Sequence, residues 1–384
     1  MNREFPFINW SDGMKIQKDH FLHSDNAHKQ WIQSNMAACV SPVRYGLLPQ
    51  ISPGFQNFNV KISVDNQNTI KVSLLSIEAL TLGGIRVSIQ NGQAMPQNGV
   101  SAFECSFNRP DTQTNWWVVL LANPYQPIPF GEPLADEIPP RQPFLDTRYE
   151  VKLATSDIEQ YATNPSALII GKLIASPNEV RVDNDFIPPC IASSAHADLL
   201  GFCGEIENFL SNLEQKSVLI VQKIFTKNQQ NELSELVQFV CDRILLFLGQ
   251  TINSIRWQVP HESPLAIFST MSSLSRVMKN AIDLRLGSGK EEMMNYLIEW
   301  SELKQGELDA LLTEMALLNY NHNDVNAATP KVIRFVGVIS RLFDTLSKLE
   351  FIGKKKETGY FVNEAPTAPQ ETTNTEKPKR RFFG

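Results

Sequence analysis

The chain has few cysteines and no paired ones. Cys39, Cys105, Cys190, Cys203 and Cys241 are spread through 384 residues without a C-x-x-C pair. Neither a zinc ribbon nor a disulfide framework is therefore indicated, and small buried hydrophobes are the expected role. Long apolar runs are also missing: stretches such as WWVVLL and SVLIV fall well short of the ~20 residues that span a bilayer. The opening MNREFPFINW has no apolar core of signal-peptide length. A cytosolic protein with no direct membrane insertion is expected. The net charge of −6 argues against nucleic acid as the main partner. No P-loop, G-x-G-x-x-G, G-x-S-x-G or H-E-x-x-H occurs. The stretch GSGKEE (Gly287 to Glu292) lacks the glycine spacing and the hydroxyl of a phosphate loop and reads as a helix–helix turn.

What is present is uneven. Seventeen of the 23 prolines lie within residues 1–190 and only three within 191–351. The proline-rich part alternates. Val60, Ile62 and Val64, then Ile70, Val72 and Leu74 after DNQN, then Ile85, Val87 and Ile89 before Asn91-Gly92, all follow period two. Such segments bounded by turn residues are antiparallel strands with one buried face. Trp116 to Leu121 and Ala167 to Ile170 read as strands buried on both sides, and NPYQPIPFGEPLADEIPPRQPF as a long loop. A β-sandwich over 1–190 is the expected architecture.

After Pro188-Pro189 the period becomes helical. Leu199, Phe202, Ile206, Phe209 and Leu213 form one apolar stripe, and Leu233, Val237, Val240, Ile244 and Phe247 another. Val332, Phe335, Ile339, Leu342, Leu346 and Leu349 make a third. Ser263-Pro264 and Thr329-Pro330 mark helix starts. Residues 191–352 thus read as a helical bundle, with seams that serve either an intrachain core or contacts with other subunits. Residues 353–384 carry seven basic and four acidic residues, a net +3 that leaves −9 on the rest. With so little apolar surface this tail is expected to be disordered alone. It ends in Arg380, Arg381, Phe382 and Phe383, which read either as a docking peptide or as part of a solvated tail.

Three of the six histidines crowd into INWSDGMKIQKDHFLHSDNAHKQWIQ, at His20, His23 and His28. On a helix His20 and His23 can share a face, whereas His28 lies about 140° further round. The constellation lacks a third metal ligand, and His196, His261 and His322 have no ligand spacing. No cofactor or catalytic residue is assigned, and a non-enzyme is expected.

The order of motifs resembles the TssK family, baseplate subunits of the bacterial type VI secretion system. Trp10-Ser11-Asp12-Gly13-Met14 followed by His20-Phe21 matches its opening pattern. Tyr45-Gly46, SLLSIEALTLGGIRVSIQ, PFLDTRYEVKL, the junction at Ile187-Pro188-Pro189 and PHESPLAIFSTMSSLSRVM follow in order, over roughly residues 5–285. The resemblance implies an α+β multidomain protein: a β-sandwich "shoulder" like those of phage receptor-binding proteins, then a helical "neck". It implies a trimeric homo-oligomer whose shoulder binds wedge proteins of TssF/TssG type, at the inner face of the cytoplasmic membrane. Trp10, Gly13, His20, Phe21, Tyr45, Gly46, Pro188 and Pro189 would be structural or docking residues. The family's further head domain is expected to lack a counterpart in this chain. The tail is expected to take over the contact with the membrane complex, through Arg380, Arg381, Phe382 and Phe383. A phage-like tail or receptor-binding adaptor that binds an external ligand is the alternative.

Overall fold

The computed structural model describes residues 4–50, 56–65, 69–90, 115–134, 136–155, 158–175, 180–284, 288–301, 303–304 and 306–352. The tail with Arg380, Arg381, Phe382 and Phe383, Cys105, Gly287 and the turns at 66–68 and 91–92 lie outside them. The chain forms two units. One is residues 1–200 with two later excursions, 259–266 and 320–328; the other comprises 201–258, 267–319 and the chain from 329 on.

The first unit is built on α1 (Lys18–Ala37) and two antiparallel sheets, each of four strands among the described residues. In one sheet β3 (Ile70–Leu80) is central, pairing with β1 (Gly46–Leu47), β2 (Phe58–Val64) and β4 (Arg86–Ile89). The alternating residues set this register. Ile70, Val72 and Leu74 are buried opposite Val64, Ile62 and Val60, while Lys61 and Ser63 face solvent. A slip by one residue would send the whole apolar set outward. The other sheet runs β6 (Phe144–Ala154), β5 (Trp116–Phe130), β7 (Ala167–Ala175), β8 (Val180–Val182). Its central strands are buried on both faces, at Val118 to Leu120 and Ala167 to Ile170.

The stretch expected to be one long loop begins as strand, and its described residues from Gly131 to Pro143 are loop. β5 continues through Asn123 to Phe130, and Ile128, Pro129 and Phe130 pair with Asp146, Leu145 and Phe144 after an irregularity. The reason is positional. β7 pairs β5 up to Leu121, with one further bond from Ala122 N to Ser166 O; beyond it no strand among the described residues pairs that edge, so proline's missing N–H there breaks no ladder bond.

The second unit is helical: α3 (Ala197–Thr226), α4 (Glu232–Trp257), α5 (Leu265–Asp283), α6 (Ser288–Ser301), α7 (Glu307–Ala316) and α8 (Thr329–Lys348). The three apolar stripes are spent on its interior. Leu199 to Leu213 on α3, Leu233 to Ile244 on α4 and Val332 to Leu346 on α8 are buried at the expected positions; Phe247 and Leu349 are half-buried. Polar contacts fix the ends. The Asn231 side chain accepts from Ser234 N (2.8 Å) to cap α4, and Lys216 pairs α3 with Asp344 of α8 at 2.9 Å. Ser288, Gly289 and Lys290 lie in the first turn of α6, and Lys290 is 2.5 Å from Asp283 at the end of α5. Cys190, Cys203 and Cys241 are buried, and burial pushes the Cys241 thiol up to about 12. These are hydrophobes in thiol form. Among the described residues no helix is long and apolar enough to cross a membrane.

Candidate partner-binding surface

The N-terminal motif folds as an arm laid against α1, and the three histidines fasten it. His20 Nδ1 accepts from Gln17 N at 3.2 Å, closing a capping box at the start of α1, and its ring meets Trp10 at 6.2 Å. His23 Nε2 donates to the Pro6 carbonyl at 2.8 Å and its ring meets Phe5. His28 donates to Ser24 O (2.7 Å) and packs edge-on to Phe7. Each ring takes a different arm residue, so the three histidines point to three separate places. Among the described residues no group of three or more His, Cys, Asp or Glu could hold a metal ion. Gly13 supplies a left-handed turn (φ +79°) in open space, and Met14 N bonds back to Ser11 O.

One side of α1 is anchored to the sheets. Lys29 reaches the Pro124 carbonyl (3.3 Å), Gln33 donates to Gly83 O (3.1 Å), and Tyr125 O–H donates to Gln33 at 2.6 Å. Only Ala27 of this helix is buried. Its large apolar residues face outward instead. Trp10, Phe21, Trp31 and Ile32 are 49–58% exposed, with Phe7, Leu22 and Met36 beside them in sequence. A surface helix of a self-contained protein turns such residues inward. Aromatics held outward on a fastened frame have the composition of a protein-interface core.

Tyr45, Gly46, Pro188 and Pro189 meet at a second, buried place. Leu47 N donates to Pro189 O (2.8 Å) and Ile191 N to Leu47 O (3.0 Å), a short parallel bridge. Gly46 has φ +106°, and a Cβ there would overlap the Pro189 carbonyl. Two motif halves some 140 residues apart in sequence are thus locked together. Their third member is His322, which carries no spacing signal in the sequence. Its ring is buried; Nε2 donates to Tyr45 O (2.9 Å) and Nδ1 accepts from Tyr320 O–H (2.7 Å). Tyr45 O–H donates to Asn323 (2.6 Å), and burial pushes its pKa up to about 12. Burial holds His322 down to about 4, so the ring is neutral. Two residues further on, Asp324 pairs with Lys172 at 2.7 Å, and Asp183 at 3.5 Å and the Trp117 ring also face the ammonium. This is structural chemistry. The eight motif residues therefore divide into an outward surface (Trp10, Gly13, His20, Phe21) and an inward lock (Tyr45, Gly46, Pro188, Pro189).

No family model and no curated protein matches the chain. Solved structures do. The chain is similar to a crystal structure of TssK, with 14% identity over 90% of this chain and 70% of that one, at a TM-score of 0.49. It is also similar to a chain of a type VI secretion system baseplate complex (12% identity, 88% and 99% covered, TM-score 0.48). A third similarity is to a chain of a TssK-TssF-TssG baseplate subcomplex, with 12% identity, 89% and 100% covered and a TM-score of 0.45.

Proposed function

We propose that this chain is a non-catalytic structural subunit of a type VI secretion baseplate. In this reading the first unit is a sandwich-like shoulder that binds wedge proteins of TssF/TssG type, and the helical unit is a neck. The subunit is a homo-oligomer, a trimer, working at the inner face of the cytoplasmic membrane. The observation that carries the reading is the outward aromatic surface of the arm and α1. The motif that resembles the family, Trp10-x-x-Gly13 with His20-Phe21, lies on that surface. The motif there serves docking, and its histidine serves a helix cap.

The test is capture of TssF/TssG-like proteins encoded beside this chain's gene. Substituting Trp10, Phe21 and Trp31 together by alanine should weaken capture by about a hundredfold or more, since aromatic anchors carry ~1–2 kcal/mol or more each. The triple variant should keep its helical circular dichroism. Undiminished capture would sink the wedge-binding role of this surface.

The tail is proposed to hold the membrane complex through Arg380, Arg381, Phe382 and Phe383. Deleting residues 354–384 should leave wedge capture intact and abolish capture of the membrane-complex component. Retained membrane-side capture removes the tail from the account.

A further inference from the structure

The acidic charge of the chain is concentrated on one helix pair. Residues 288–316, which hold α6 and α7, carry seven acidic and two basic residues, a net −5 out of the −9 on residues 1–352. One face of α6 serves the interior, with Met293, Tyr296 and Leu297 buried. The face beside it lines an open groove of about 450 Å³ between α6 and the start of α7. Met294 and Ile298, half-buried and one helical turn apart, are its apolar lining; Lys290, Glu291 and Asn295 of α6 and Asp309 of α7 edge it. Lys290 is paired with Asp283 and Asp309 with Lys279 (3.2 Å). Glu291 is exposed and has no ion pair among the described residues.

The described chain ends beside this groove. Ile352 N donates to the Gln229 side chain (2.9 Å) and Asn231 donates to Ile352 O (3.2 Å), which fixes the exit at the N-terminus of α4. Glu232, next after Asn231, faces the first turn of α6: its Oε1 lies 3.6 Å from where a Cβ on Gly289 would stand. Lys290 and Glu291, at the near end of the groove, follow directly. Residues 353–379 separate Ile352 from Arg380, 27 positions with a coil span of ~30 Å. The whole of α6 is only ~21 Å long at ~1.5 Å per residue.

We propose that Arg380, Arg381, Phe382 and Phe383 seat in this groove of their own chain, the two rings against Met294 and Ile298 and the guanidinium groups toward Glu291 and Asp309. The inference goes beyond the membrane-side role given to the tail and does not need it. Charge and apolar lining choose the occupant together. Lys354 to Lys356 are nearer but offer no ring to the lining, and Tyr360-Phe361 stands between Glu357 and Glu364, which the acidic helix pair repels. Within the tail, only the last residues set cations beside aromatics, the side chains favoured as anchors in pockets. The tether adds to this. At the ~1 mM effective concentration of a short linker, an intrinsic affinity of ~0.1 mM fills about nine-tenths of the seats. A seated tail hides its own motif, so an outside partner of the tail binds about tenfold more weakly than it would bind a free one. The groove is a latch.

Disulfide trapping in the full chain tests this, with Cys39→Ser and Cys105→Ser as background. Asn295→Cys with Gly384→Cys should close a disulfide within one chain on mild oxidation. It should do so about tenfold or more faster than Lys331→Cys with Gly384→Cys, which offers an exposed position at the far end of α8. Arg380→Glu with Arg381→Glu changes only the tail and should slow the closure about tenfold at low salt, and by less at about 0.5 M, where surface charges are screened. Glu291→Lys should act in the same direction. Equal rates at positions 295 and 331, or a closure that ignores the Arg380 and Arg381 reversal, overturns the seat. Disulfides found only between chains put another copy's tail in the groove and overturn the intrachain latch. Capture of the membrane-complex component is decided separately, by the deletion of residues 354–384.

Discussion

Gly46→Ala is expected to destabilise the first unit by about 3–5 kcal/mol, a large part of the ~5–15 kcal/mol of a typical domain. Two costs combine. At φ +106° a residue with a Cβ is strained by ~1–3 kcal/mol. The new methyl would also overlap the Pro189 carbonyl, which cannot withdraw because it accepts from Leu47 N at 2.8 Å. Overpacking of this kind adds ~1–3 kcal/mol. With an m-value of ~2 kcal/mol/M the urea midpoint should fall by roughly 2 M. Gly13→Ala is the control. It shares the positive φ (+79°) but has nothing within 4 Å, so only the backbone cost remains, about 1 kcal/mol. Equal losses in the two variants would remove the Gly46–Pro189 lock from the account.

His322→Ala is expected to cost about 3 kcal/mol at pH 7.5. It takes the donor from the Tyr45 carbonyl and one of the partners from the Tyr320 hydroxyl, and leaves a hole beside them. The wild-type residue also ties stability to pH. Its folded pKa of about 4 lies below the ~6.5 of an unfolded chain, so the unfolded state takes the proton first. The stabilisation is complete above ~6.5, declines as pH falls through the window from 6.5 to 4, and is gone below it. At ~1.4 kcal/mol per unit the loss is about 3 kcal/mol. Carboxylates titrate near the lower end as well, so the quantity to read is the difference from His322→Gln, which does not titrate there. Urea midpoints of the two proteins should converge as the pH drops from 7 to 4.5. Parallel pH profiles would mean that His322 is not held neutral in the folded protein.

The motifs were legible as positions and not as places. Trp10, Gly13, His20 and Phe21 are close in sequence, and local geometry brought them together as a capped helix with its arm. Tyr45 and His322 are 277 residues apart, and no spacing rule connects them. The histidines show the same limit. They lie within nine residues, and only the fold shows that each ring meets a different arm residue.

Periodicity, by itself, determined most of the secondary structure. Alternation at 60–64, 70–74 and 85–89 specified strands, and the stripes on α3, α4 and α8 specified helices and their buried faces, because repeat length reports the geometry that hides one side of a segment. It says only that a face is covered. What covers it is a matter of tertiary structure: the apolar stripes closed within the subunit, Asn123–Phe130 of the proline-rich stretch extended a strand that has a partner on one edge, and α1 turned its aromatics outward while the arm and sheets hold its other side.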